Sequence, residues 1–279
     1  MPRKRIGNVS TPEGRDAIAD LMAFMVAQSG VIAIYQGAAE TGPRALGHRS
    51  ILANPCDPDA RQHLNERVKY REAIRPLAPM ATLQAAQEYF ELLPGASDGD
   101  YNAYNYMVLT ARSKPHARDK IPAVIHADGT GRIQIVRAED DPLTYAYLKA
   151  LGRRIGVEMS VNTSFNVAGP IAQTPQQAIE TLRRSKGLDV ALLVASDGTV
   201  QAAWHGGERD SGRFTDGLRS GKPAPRRLSL NEFQTRPSIN SSALPITSAR
   251  DDLALRHLLT KHEVSEQDRR HRDQQASPA

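Results

Sequence analysis

The 279-residue chain has one cysteine, Cys56, so no intrachain disulfide staples it, and a free thiol is the plain reading of that residue. Aromatic residues make up only 5% of the sequence, and no Lys/Arg block is interleaved with Phe or Tyr. A stacking platform for single-stranded nucleic acid is therefore poorly supported. No apolar run approaches the roughly 18 residues that a membrane-spanning helix needs. The opening M-P-R-K-R-I-G has no apolar region behind it, so no secretory signal is expected and the expected compartment is the cytoplasm. Familiar site motifs are missing too. There is no G-x-x-x-x-G-K-[ST] loop, no G-x-G-x-x-G fingerprint and no paired-Cys or H-E-x-x-H metal site, and His48, His63 and His126 are scattered.

What is present is positive charge. The net charge is +5 and the isoelectric point is near 9.4, which suits an anionic partner without choosing among nucleic acid, a membrane surface and a small phosphate compound. From about Gly206 the apolar periodicity stops and Arg, Ser, Asp, Gln and Pro take over. Such a segment buries too little apolar surface to offset chain entropy. The expected division is a folded unit over 1–205 and a mostly disordered basic tail over 206–279. Leu253, Leu255, Leu258 and Leu259 give the stretch 252–259 the apolar content of a short docking helix.

Within the folded unit, S-T-P-E at Ser10–Glu13 reads as a capping box for a helix carrying Ile18, Leu21, Met22, Met25 and Val26. Val31–Tyr35 reads as a buried strand, Asp57–Val68 and Leu83–Leu92 as helices, and the Tyr-rich Y-N-A-Y-N-Y-M-V-L as a strand. Pro122–Ile125 and Arg132–Val136 read as two strands joined by an Asp-Gly turn. A helix Pro142–Arg154, a strand Val157–Val161, a helix Pro175–Lys186 and a hairpin of Val190–Ala195 with Val200–Ala203 follow. Strands and helices mix without strict alternation, so the expected fold class is a mixed, twisted α/β sheet rather than a doubly wound one.

Three segments carry chemistry. Gly42-Pro43-Arg44-Ala45-Leu46-Gly47-His48-Arg49-Ser50 sets two arginines in a turn, and Lys69-Tyr70-Arg71-Glu72-Ala73-Ile74-Arg75-Pro76 packs cations before a proline. Asn162-Thr163-Ser164-Phe165-Asn166 is a polar run between an apolar strand and a Gly-Pro turn. Any one of them alone is an ordinary solvated face or strand-ending turn. Together they supply arginine forks and a lysine point charge for anionic oxygens, with short hydroxyl and amide side chains to orient the same ligand. Within the second segment, Arg71 has Glu72 as a ready surface partner. Pro76 biases Arg75 toward extended backbone, so Arg75 is the one expected to reach a ligand.

The ordered motifs G-P-R-A-L-G-H-R-S-I-L-A-N-P, N-E-R-V-K-Y-R-E-A-I-R-P-L-A-P, H-A-D-G-T-G-R-I-Q-I-V and V-N-T-S-F-N-V-A-G-P-I-A-Q-T-P-Q-Q-A-I resemble the C-terminal domain of nodulation-factor and antibiotic O-carbamoyltransferases, over about residues 29–203. The resemblance implies a YrdC-like domain that takes carbamoyl phosphate and ATP, with Mg²⁺ accompanying the nucleotide, and forms carbamoyl adenylate. It puts substrate binding on Arg44, Lys69, Arg75, Arg132, Ser164 and Asn166, with Arg44, Lys69 and Arg75 the expected catalytic cations and no metal ligand among them. Leu77 and Gly131 stand where the family usually has Phe and Ala. The family also carries, ahead of this domain, an actin-like ATPase domain where the acceptor is carbamoylated. A separate subunit of that type is the expected partner. A non-catalytic sensor of nucleotide or carbamoyl phosphate, and an RNA-binding protein, are the alternatives; nucleic acid is the weaker one.

Overall fold

A computed structural model describes residues 3–40, 42, 44–97 and 102–205. The expected basic tail and its short helix at 252–259 lie outside the described residues. Strands are β1 (Arg3–Asn8), β2 (Ile32–Tyr35), β3 (Arg49–Ala53), β4 (Ala78–Ala81), β5 (Phe90–Glu91), β6 (Thr110–Ser113), β7 (Thr130–Arg132), β8 (Gln134–Ile135), β9 (Met159–Ser164), β10 (Val190–Val194) and β11 (Thr199–Trp204). Helices are α1 (Pro12–Ala27), α2 (Ala60–His63), α3 (Leu83–Tyr89), α4 (Ala117–Lys120), α5 (Pro142–Ile155) and α6 (Pro175–Arg184). The long sheet has the order β1-β11-β10-β2-β3-β9-β4-β8, and β5-β6-β7 form a second, smaller sheet. Two pairs are parallel (β10 with β2, β4 with β8) and the others antiparallel, so the sheet is mixed as expected.

Strand side chains alternate between faces, and here both faces are buried. Ile32 and Ile34 of β2, with Leu52 of β3 and Met80 of β4, meet Met22, Val26, Leu148 and Leu151 from α1 and α5. Ala33 and Ile51 turn to the other side, against Leu64, Val68, Phe165 and Leu182. An ion pair joins the two helices of the first layer: Arg154 Nε and Nη2 donate to Asp20 at 3.1 and 2.6 Å, and the guanidinium also lies over the Phe24 ring.

Helix ends follow the local sequence. Thr11 caps α1 by accepting from the Gly14 N–H, so the N-cap is present but Glu13 does not close the expected box. A full capping box forms instead at α6, between Thr174 and Gln177. Gly156, with φ of 76°, ends α5 in the left-handed region that glycine adopts without strain.

Several expected elements differ. In the Tyr-rich segment, described from residue 102 on, Ala103–Tyr106 forms a 3₁₀ turn, and the strand starts only at Thr110. Tyr104 is fully buried as the turn's anchor, and its hydroxyl accepts from Leu93 N–H. Pro122–Val124 is a 3₁₀ turn and not a strand, since Pro122 offers no N–H to a ladder. Arg132–Val136 splits into the end of β7 and all of β8, which belong to different sheets. Strands β1, β3 and β4 were not foreseen: each is short and gains its order from neighbours distant in sequence.

Candidate functional site

Strand directions gather the three motifs at one end of the long sheet. Since β2 and β9 run antiparallel to β3, and β4 antiparallel to β9, the end of β2, the start of β3, the end of β9 and the start of β4 lie together. The start of β8 joins them, because β8 runs parallel to β4. The loop with Arg44 leaves β2, Arg75 precedes β4, Arg132 ends β7 just before β8, Ser164 ends β9 and Asn166 follows it. Five of the six expected site residues are therefore on the loops and strand ends at one end of the sheet.

Lys69 reaches that edge through an unusual helix. After α2 the chain continues as a π-helical turn, Leu64–Lys69, ended by Tyr70 in the left-handed region with φ of 50°. Leu64, Asn65, Val68 and Lys69 all face inward. The apolar pair fixes the turn in the core, and the polar pair follows it one residue on. The side chain of Tyr70 braces the exit by donating to Arg184 O and accepting from Lys186 N–H. π-Turns are rare and concentrate at functional positions.

The Lys69 ammonium, only 7% exposed, donates to Ser164 O at 2.7 Å, Ser164 Oγ at 3.2 Å, Asn166 O at 2.9 Å and Asn166 Oδ1 at 2.5 Å. Ser164 Oγ in turn donates to Asn166 Oδ1 at 2.7 Å. Lys69, Ser164 and Asn166 are thus one knot. Burial, reinforced by the positive charge of Arg71, pushes Lys69 down to about 7. Arg71 is itself lowered, by burial and then by Arg75. Arg132 is lowered by burial and by Arg44, and its Nε is sealed from solvent without a hydrogen-bond partner among the described residues. Two groups of like charge, Lys69–Arg71–Arg75 and Arg132–Arg44, therefore sit at the same edge, and burial together with a cationic neighbour lowers Lys69, Arg71 and Arg132.

The pairing inside the basic segment is the reverse of the expected one. Glu72 lies on Arg75, with Nε 3.3 Å from Oε2 and both side chains exposed. Arg71 is half-buried and donates to Asn65 Oδ1 at 2.8 Å. The buried Asn65 then donates to Ala73 O and Arg75 O, so one amide organises the whole loop. Sequence reading missed Asn65; the signal was its position four residues before Lys69 on the face that carries Leu64 and Val68.

The two arginines of the first motif also separate. Arg49 is 2% exposed; it donates to the carbonyls of Gln36, Gly37, His48 and Ala172 and stacks over Tyr35. It is a structural arginine. Arg44 stands on the loop, partly exposed, close enough to Arg132 to lower it.

The described residues contain no group of three or more His, Cys, Asp or Glu able to hold a metal ion. No helix among them is long and apolar enough to cross a membrane.

Comparison with known proteins decides the family. The family described as carbamoyltransferase C-terminus matches residues 23–200, more than half of the chain. The chain belongs to it. Nodulation protein NolO of Bradyrhizobium diazoefficiens is 38% identical over 167 residues, which cover 60% of this chain and 30% of NolO. Nodulation protein U of Rhizobium tropici is 36% identical over 148 residues, covering 53% of this chain and 24% of that protein. An uncharacterised protein of Methanocaldococcus jannaschii is 39% identical over 161 residues, covering 57% of this chain and 25% of its own. The carbamoyltransferase C-terminal chain thus spans under a third of the curated relatives it matches. Among solved structures, Escherichia coli YciO is similar with a TM-score of 0.43 and 14% identity, over 68% of this chain and 91% of that one. HypF of T. kodakarensis is similar with a TM-score of 0.42 and 15% identity, over 65% of this chain and 23% of that one.

Proposed function

We propose that this carbamoyltransferase C-terminal chain binds carbamoyl phosphate and ATP at the strand-end site and forms carbamoyl adenylate there. One observation carries the reading: five cations lie at one end of the sheet, three of them partly or largely buried with a cationic neighbour, beside the hydroxyl and amide of Ser164 and Asn166. Clustered, partly desolvated cations cost free energy, and a bound polyanion relieves it.

In the reaction we propose, water cleaves carbamoyl phosphate to inorganic phosphate and carbamate. A carbamate oxygen then attacks the α-phosphorus of ATP, the bond to pyrophosphate breaks, and carbamoyl adenylate forms. Two anions must approach in line, so positioning and charge neutralisation supply most of the barrier reduction and no protein nucleophile is needed. Arg44 and Lys69 are assigned to phosphate groups. Arg75 and Arg132 are assigned to carbamoyl phosphate or the developing pyrophosphate, and Ser164 and Asn166 to orienting the carbamoyl end. The described residues offer no acidic cluster for Mg²⁺, so the ion is placed on the nucleotide and no step is routed through it. Transfer to an acceptor hydroxyl is assigned to a separate actin-like ATPase-type subunit.

The test is pyrophosphate release from Mg²⁺, ATP and carbamoyl phosphate by the purified chain. Turnover supports adenylate formation. Binding without turnover supports a sensor or a requirement for the partner, and absence of both in folded protein overturns the reading.

A further inference from the structure

We infer that Glu40 is a positioning residue that holds the loop presenting Arg44 to the anion. The inference rests on the proposed function for the identity of the ligand and goes beyond it in naming how the loop is held.

The loop between β2 and β3 has to turn sharply, with Gly42 and Gly47 at φ of 116° and 115°, and it leaves its backbone polar groups without a ladder. Three of its carbonyls accept from side-chain amides. Asn162 Nδ2 donates to Ala45 O at 2.8 Å, Gln134 Nε2 to Leu46 O at 2.7 Å, and Gln36 Nε2 to Gly47 O at 3.1 Å. Ser50 Oγ accepts from Gly47 N–H. Three further amides converge on one atom: Glu40 Oε1 accepts from Leu46 N–H at 2.8 Å, His48 N–H at 2.8 Å and Arg49 N–H at 3.2 Å. Three donors oversubscribe one carboxylate oxygen, while Oε2 is sealed from solvent with no hydrogen-bond partner among the described residues.

Buried polar groups are nearly always paired, so an orphan oxygen beside an oversubscribed one marks a geometry fixed by its surroundings. Without Glu40, three N–H groups of the loop lose their acceptor together, and nothing else named here reaches them. The loop then relaxes at Leu46, two residues from Arg44. At its other end the same arc is tied to the site, because Arg49 O accepts from Phe165 N–H, between Ser164 and Asn166. Glu40 therefore acts through Arg44 and need not touch the ligand.

Carbamoyl phosphate affinity in a double-mutant cycle separates this role from simple loss of structure. Glu40→Ala should weaken binding about tenfold and speed amide exchange at Leu46, His48 and Arg49. In an Arg44→Ala background the same change should cost less than about twofold, because the side chain it positions is gone. Glu40→Gln, which keeps an acceptor at Oε1, should recover most of the affinity. If Glu40→Ala does not fold, Glu40→Asp takes its place in the cycle. Tighter binding by Glu40→Ala, as expected if the carboxylate merely repels the anion, overturns the role, and so does a cycle in which the two losses multiply. Failure of the wild-type chain to bind carbamoyl phosphate overturns the proposed function and this role together, whereas wild-type binding with a multiplicative cycle overturns only the role of Glu40.

Discussion

The layer formed by α1 and α5 and the loop edge at the ends of β9 and β4 use charge in opposite ways. In the first, one carboxylate and one guanidinium, Asp20 and Arg154, meet in a two-pronged contact at 7% and 19% side-chain exposure. The charges cancel where they are buried, and the surrounding Met22, Val26, Leu148 and Leu151 pack against one another. At the second, Lys69, Arg71 and Arg75 stand together and Arg132 stands near Arg44, with the buried Lys69 meeting only neutral oxygens. A region that only has to be stable pairs its ions. The loop edge leaves like charges beside one another and accepts the cost, as the proposed anion site requires.

Breaking the paired region should have the largest effect on stability. Arg154→Ala leaves Asp20 as a buried charge without its partner and should destabilise by about 3–5 kcal/mol in urea unfolding. Affinity for carbamoyl phosphate should be unchanged in the fraction that remains folded, because the pair joins α1 to α5 and contacts none of the proposed site residues. A stability loss under about 1 kcal/mol would mean the pair behaves like a surface contact.

At the loop edge the order reverses, and binding suffers more than folding. Lys69→Ala should weaken carbamoyl phosphate by about ten- to a hundredfold in titration calorimetry, the loss expected for a charge-assisted contact of about 1.5–3 kcal/mol. Unchanged affinity would return Lys69 to a purely structural role between the π-turn and β9.

Lys69 also predicts a pH dependence with a definite sign. Its folded value near 7 lies below the ordinary lysine value near 10.4, so between those limits the unfolded chain binds a proton that the native chain lacks. This group therefore makes stability rise as pH increases from about 7 to about 10, and it opposes folding most strongly below that window. Binding an anion favours the ammonium, so complex formation above pH 7 should take up a proton. Calorimetry in two buffers of different ionisation enthalpy reads that uptake directly. Identical heats in both buffers, or a wild-type stability profile no steeper than that of Lys69→Ala, would contradict the assignment.

The smallest effects sharpen the comparison within the basic segment itself. Arg71→Ala leaves the buried Asn65 Oδ1 without its donor and should cost about 1–3 kcal/mol of stability. Arg75→Ala removes only an exposed pair with Glu72, so the melting temperature should stay within error while affinity falls. The reverse order of stabilities would mean that Asn65 holds the loop without help from Arg71.

Sequence by itself determined the α1, α5, α6 and β10–β11 elements, because each carries its own periodicity, cap or turn and needs no distant partner to declare itself. It also determined the motif residues, since G-P-R-A-L-G, K-Y-R-E-A-I-R-P, D-G-T-G-R and N-T-S-F-N are local patterns. Tertiary structure alone decided β1, β3 and β4, which are too short to show alternation and are ordered by ladders to strands far along the chain. It alone also decided which charges are spent on structure and which stand at the loop edge. Arg49 and Arg44 are equivalent in the sequence, but four carbonyls and a tyrosine ring enclose one of them and not the other. Glu72 sits next to Arg71 and nevertheless pairs with Arg75. Asn65 and Glu40 look like ordinary polar residues until the fold brings loop carbonyls to one and three loop amides to the other. Hydrogen-bond partners are set by where backbone groups are left unpaired, and that is a property of the folded chain rather than of neighbouring letters.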